Sequence, residues 1–120
     1  MTNKSTQKDG INTNKIPWSN IPMLNGKLNI PAKFLHVDSG TGMSILKMKY
    51  PAGFTNPWHT HDCAHGMYVL DGVLETNKGK FGPGEFIWFS ELERMYHGAS
   101  EENDVTFLFF TNKTFNIKYE

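Results

Sequence analysis

Four of the five histidines in this chain fall between positions 59 and 97, and three of them occupy one heptapeptide, His59-Thr60-His61-Asp62-Cys63-Ala64-His65. On a β-strand, side chains at i and i+2 share a face, so His59 and His61 can aim two imidazoles at one interior point. Asp62-Cys63-Ala64 is long enough to turn the chain, which would bring His65 to that point from a neighbouring direction. His97 must arrive from a distant strand. Neutral imidazole binds zinc, copper, iron, nickel and manganese, and four nitrogens on a six-coordinate ion leave two positions for substrate, water or dioxygen. The expectation is one divalent transition metal on His59, His61, His65 and His97.

Blander readings stand beside this one. His59 and His61 can be a partly exposed strand pair, and His65 or His97 can be an outer partner that orients a ligand imidazole. His36 has no companion and reads as a surface or hydrogen-bonded residue. Cys63 invites a nucleophile reading, yet a histidine bound to metal cannot also be its base. Asp62 could move a proton, although a solvated loop carboxylate is the commoner role. The charges of Glu91, Glu93 and Arg94 mark a solvated loop.

The elements that must position these side chains are short strands. Residues 1–16 are rich in Asn, Thr and Lys and read as a disordered tail. Residues 17–32, with prolines at 17, 22 and 31, read as an extended arm without long regular elements, placed to cover the barrel or a partner subunit. Residues 33–120 form the β domain. Its strands are expected over 33–37, 43–50, 58–61, 65–70, 73–76, 85–89, 95–99 and 105–111, with an edge strand near 116–119. The breaks fall at Asp38–Gly42, Pro51–Gly53, Asp71-Gly72, Asn77–Lys80 and Gly82-Pro83-Gly84. Many short strands with frequent turns mean a sandwich or a barrel. Strand parity puts Met67 and Val69 on the side of His65, and Met95 and Ala99 on the side of His97, as pocket lining or as barrel core. Phe86, Trp88, Phe107, Phe109 and Phe110 read as packing rather than substrate stacking.

At 120 residues, with 12 basic and 12 acidic side chains, the chain fits one domain and carries no net charge. No Lys/Arg block offers a footprint for nucleic acid or an anionic membrane, so a small-molecule partner is expected. Nothing approaches the roughly 18 apolar residues of a membrane span, and the polar N-terminus lacks a secretory run. A single cysteine excludes intramolecular disulfides and Cys-rich zinc modules, which suits a cytoplasmic setting.

Gly53, five residues, His59-Thr60-His61, three residues, His65, six residues and Gly72 reproduce the spacing of the first motif of the cupin superfamily, with His65 where that motif has glutamate. Gly82-Pro83-Gly84, a strand, a slightly long loop and His97 resemble its second motif. The likeness spans about residues 43–111 and implies an all-β double-stranded β-helix, or jelly-roll barrel, preceded by the extended arm. It is similar to the four-histidine cupins, and this implies manganese first among the metals, with iron, nickel, copper and zinc open. A neutral first shell leaves more positive charge on the ion and removes one built-in base. Trp88-Phe89-Ser90 and His97-Gly98-Ala99 resemble segments of small manganese-dependent hydroxynitrile lyases. The resemblance therefore implies a carbon–carbon cleaving oxygenase, a non-redox lyase or isomerase, or a non-catalytic metal or metabolite binder. The apolar arm suggests a homodimer.

Overall fold

The computed structural model describes residues 10–120. After a 3₁₀ turn at Thr13–Lys15 come β1 (Ser19–Met23), β2 (Leu28–Val37), β3 (Ser44–Tyr50), β4 (Thr55–Thr60), β5 (His65–Asp71) and β6 (Leu74–Thr76). They are followed by β7 (Gly79–Phe81), β8 (Phe86–Phe89), β9 (Met95–Ala99), β10 (Val105–Thr111) and β11 (Lys118–Tyr119). The strands form a six-stranded sheet, β1-β2-β3-β10-β5-β8, and a five-stranded sheet, β11-β4-β9-β6-β7, with antiparallel pairing throughout. This is the all-β jelly roll expected from the sequence. No helix among the described residues is long and apolar enough to cross a membrane.

Alternation sets which side chains enter the barrel. β3 and β10 pair from Ser44↔Thr111 to Tyr50↔Val105, and along both strands every second residue is buried. Leu46, Met48, Tyr50, Val105, Phe107 and Phe109 thereby join Ile30, Met67, Val69, Leu74, Phe89 and Met95 in one core. Each such side chain contributes about 1.5–3 kcal/mol when removed from water. Where the alternation brings polar residues inside, they pair: the Ser44 and Thr111 hydroxyls lie 2.9 Å apart.

The N-terminal segments differ from the sequence expectation. Residues 1–9 of the expected tail lie outside the described residues. Beyond them the chain is shaped: Asn12 caps the 3₁₀ turn, and the buried Lys33 donates to the Thr13 carbonyl and lies over the Trp18 ring. The arm is a regular hairpin rather than an irregular extension, because Ser19–Met23 pairs with Leu28–Ala32 despite its prolines. β1 is an edge strand, where a missing N–H costs least. The arm covers its own barrel with Ile21 and Met23.

The aromatic expectation also divides. Phe107 and Phe109 are in the core, but Phe86 and Trp88 are 51% and 47% exposed. Both point outward from β8 and lie over Gly66 of β5, where a Cβ would meet the Phe86 ring at 2.5 Å.

Candidate metal centre

β4 opens the site with a bulge. Its register against β9 shifts between Asn56 and His59, so Asn56 and His59 both face inward although three positions apart. Proline at 57 suits the bulge, having no N–H to lose from the ladder. The bulge also turns the Pro57 carbonyl toward the His59 ring, whose Nδ1 donates to it. His61 lies just beyond β4, and its Nδ1 donates to the Asn116 carbonyl in the segment leading to β11. Asn116 is pinned in turn, because its Oδ1 accepts the Asp62 N–H at 3.0 Å and its Nδ2 donates to the Asp62 carboxylate at 2.7 Å. That amide, helped by Lys118, holds the Asp62 carboxyl below the usual carboxylate range. Asp62 thus has a holding role.

His97 stands on β9 opposite Asn56 of β4 and Thr76 of β6. Gly98 allows this approach: a Cβ there would lie 2.2 Å from the Phe54 carbonyl oxygen. Tyr50 on β3 stacks against His97, with rings 5.8 Å apart at 7°, and its hydroxyl lies 3.0 Å from Nδ1. Neighbouring Asn56 accepts the Tyr119 hydroxyl at 2.7 Å.

His59, His61 and His97 are each no more than 2% exposed, and one nitrogen from each lies within 4.8 Å of the others. With Nδ1 engaged, each leaves a buried Nε2 with no partner among the described residues. Burial lowers the basicity of all three, His61 to about 4 and His97 well below its ordinary value, and at His61 and His97 neighbouring imidazoles push the same way. They are therefore neutral at neutral pH. Buried, neutral imidazoles whose nitrogens lie this close together are the donor set a transition metal takes, so the residues fit the ion.

The sequence leads one to expect a group of four, but the structure gathers three. His65, on β5 of the other sheet, sits with its ring 4.7 Å from that of His61 and 6.1 Å from that of His97, packed between Phe89 and Phe109. It is fully buried with neither nitrogen partnered, and burial lowers it to about 2. Cys63 is buried and free, and burial raises its thiol. His36 is exposed on β2.

Met67, Val69, Met95 and Ala99 are all buried in the core cluster. The hollow beside His61 and His97 is lined instead by Met23, Met48, Tyr50, Asn56, Phe109 and Phe115. None of these six was singled out from the sequence as a site residue. Asn56 was hidden by the bulge, and Met23, Phe115 and Asn116 come from chain ends that only the fold brings to the site. Tyr50 did carry a signal, as a tyrosine at an inward position of an alternating strand.

Comparison with known proteins bears on this arrangement. The profile of the ChrR Cupin-like domain family matches residues 6–115. No curated protein sequence matches. Among solved structures, the polyketide cyclase RemF from Streptomyces resistomycificus superposes with a TM-score of 0.77 at 16% identity, covering 94% of this chain and 85% of that one. A candidate acetylacetone dioxygenase from Methylibium petroleiphilum gives 0.73 at 16% identity, covering 88% and 77%. Rhodobacter sphaeroides SigE in complex with the anti-sigma ChrR gives 0.65 at 20% identity, covering 81% and 50%. At these identities the likeness is one of fold.

Proposed function

Because the chain belongs to the family of ChrR Cupin-like domains, we propose that it is a metal-dependent cupin enzyme that oxygenates a small organic molecule. The observation that carries this reading is the set of buried Nε2 atoms on His59, His61 and His97, each left free by an engaged Nδ1. His65 completes the ligand set as the fourth nitrogen, in keeping with the sequence motif. A buried imidazole with neither nitrogen paired is costly, and a metal ion would relieve one of them. Manganese is the first choice, followed by iron, nickel, copper and zinc.

A divalent ion held there supplies a Lewis-acid centre and a place for electrons to pass to dioxygen. The chain does the rest. Met23, Met48, Phe109 and Phe115 exclude water, while the Pro57 and Asn116 carbonyls hold His59 and His61 in the tautomer protonated at Nδ1 and the Tyr50 hydroxyl orients the His97 ring. No carboxylate among the described residues lines the hollow, and burial holds the Tyr50 hydroxyl far above its ordinary value, so neither offers a base. A lyase or isomerase needs a positioned base, whereas oxygenation of an already acidic substrate does not, and this favours the oxygenase.

The test is elemental analysis beside dioxygen uptake. We expect about one transition metal per chain, lost in His59→Ala and His97→Ala, and dioxygen consumption with acetylacetone or a similar acidic small molecule. The fold it shares with the ChrR complex favours a second reading, a non-catalytic module that binds metal or a metabolite. Bound metal without turnover on any acidic or unsaturated substrate would select that reading, and turnover without dioxygen would select the lyase. We place the protein in the cytoplasm on its single cysteine. We also expect a homodimer through the outer edge of β1, the end of its sheet among the described residues, which a monomer in light scattering at micromolar concentration would refute.

A further inference from the structure

The metal centre adjoins a second, larger space. A cavity of about 210 Å³ lies between the β1 hairpin and the inner face of β3, with Leu46 on its wall. Met23, Met48, Phe109 and Phe115 line both this cavity and the hollow beside His61 and His97, and so form the partition between them. Ile21, Phe34 and Phe115 are the lining side chains that reach solvent, which marks the outer mouth.

The chemistry of the walls restricts what can enter. Ser44 is the one polar side chain among them, and its hydroxyl is already paired with Thr111. A charged group moved into this space would lose its hydration and find no partner. Polar groups stand beyond the partition, where His61, His97, Tyr50 and Asn56 line the hollow. A molecule that spans both spaces must therefore be apolar along its body and polar at the end facing the histidines. Size narrows it further, since an apolar cavity of about 150 Å³ already holds benzene, so this one suits a single ring or short chain. Two of the four partition side chains are methionines, whose thioether arms change shape at low cost.

We propose that this cavity is the entry and body-binding chamber for a neutral, apolar small molecule carrying one oxygen-bearing end, with Met23, Met48, Phe109 and Phe115 as the passage to the metal centre. The role as substrate chamber rests on the oxygenase reading. The selectivity for a neutral apolar body does not, because it needs no metal.

The full chain, stripped of metal, is titrated with toluene and separately with benzoate while the methionine methyl resonances are followed by NMR. We expect saturable shifts at Met23 and Met48 with toluene, retained in His59→Ala, and no binding of benzoate. Leu46→Phe and, independently, Ile21→Phe should weaken toluene about tenfold or more by filling the chamber or its mouth, so one misfolded variant leaves the other as the test. No saturable toluene binding, equal binding of benzoate, or affinity unchanged in folded filling variants overturns the chamber. Toluene failing while wild-type protein holds its metal refutes this inference alone. Toluene binding in a protein that takes up no metal refutes the metal-centre reading alone.

Discussion

On the five-stranded sheet, β4 and β9 turn His59 and His97 inward beside Asn56 and Thr76, and His61 follows at the end of β4. Each of these imidazoles has its Nδ1 engaged, two by backbone carbonyls and one by the Tyr50 hydroxyl. The six-stranded sheet presents Leu46, Met48, Met67, Val69, Phe107 and Phe109 instead, and its one inward histidine, His65, has aromatic neighbours and no hydrogen bond. One wall organises polar groups and the other excludes water. The difference teaches where pre-organisation resides: three imidazoles are oriented before any ion arrives, whereas His65 is oriented by packing alone.

Acid should produce the largest effect. The folded-state values of His61 and His65, about 4 and about 2, lie below the ordinary 6.5, so the unfolded chain binds more protons in between. In metal-free protein, stability should be complete above about pH 6.5 and fall as pH drops toward 4 through His61 and on toward 2 through His65, by up to about 1.4 kcal/mol per pH unit for each imidazole. Urea titrations across that range check it, and a flat profile would mean that these rings are not buried neutral.

Tyr50→Phe removes the hydroxyl beside His97 Nδ1 without emptying the core. Metal affinity should fall roughly 10–100-fold in a chelator competition, with little change in the folded spectrum. An unchanged affinity would show that packing alone orients His97.

His65→Leu sharpens the contrast between the walls. Removing two unpaired nitrogens should raise metal-free stability by about 1 kcal/mol, while metal affinity drops if His65 is the fourth ligand. Thermal melts with and without metal separate the two effects, and equal metal affinity in the variant would leave a three-histidine centre.

The smallest effect is expected at Arg94→Ala. This arginine pairs with Glu120 through two hydrogen bonds and lies over Trp58, but the pair is solvated. Melting temperature and metal content should stay at wild-type values, and a clear loss of either would show that the C-terminal contact helps to hold β11 and the site.

Much of this protein follows from local rules that one sequence displays. Alternation in 43–50 and 105–111 identifies β3 and β10, and glycine and proline punctuation locates the turns. At Gly72 the reason is visible, since its φ is +84° and a Cβ would lie 2.2 Å from the Asp104 carbonyl oxygen. The i, i+2 spacing of His59 and His61 puts two imidazoles on one side because parity is a property of the strand itself. Tertiary structure decided whatever depends on contacts between distant segments. It set the bulge that turns Asn56 inward, the path of the segment before β11 that brings the Asn116 carbonyl to His61, and the hairpin that brings Met23 to the hollow. It also set His65 apart on the opposite wall, since residues adjacent in sequence can enter different sheets and be given different partners.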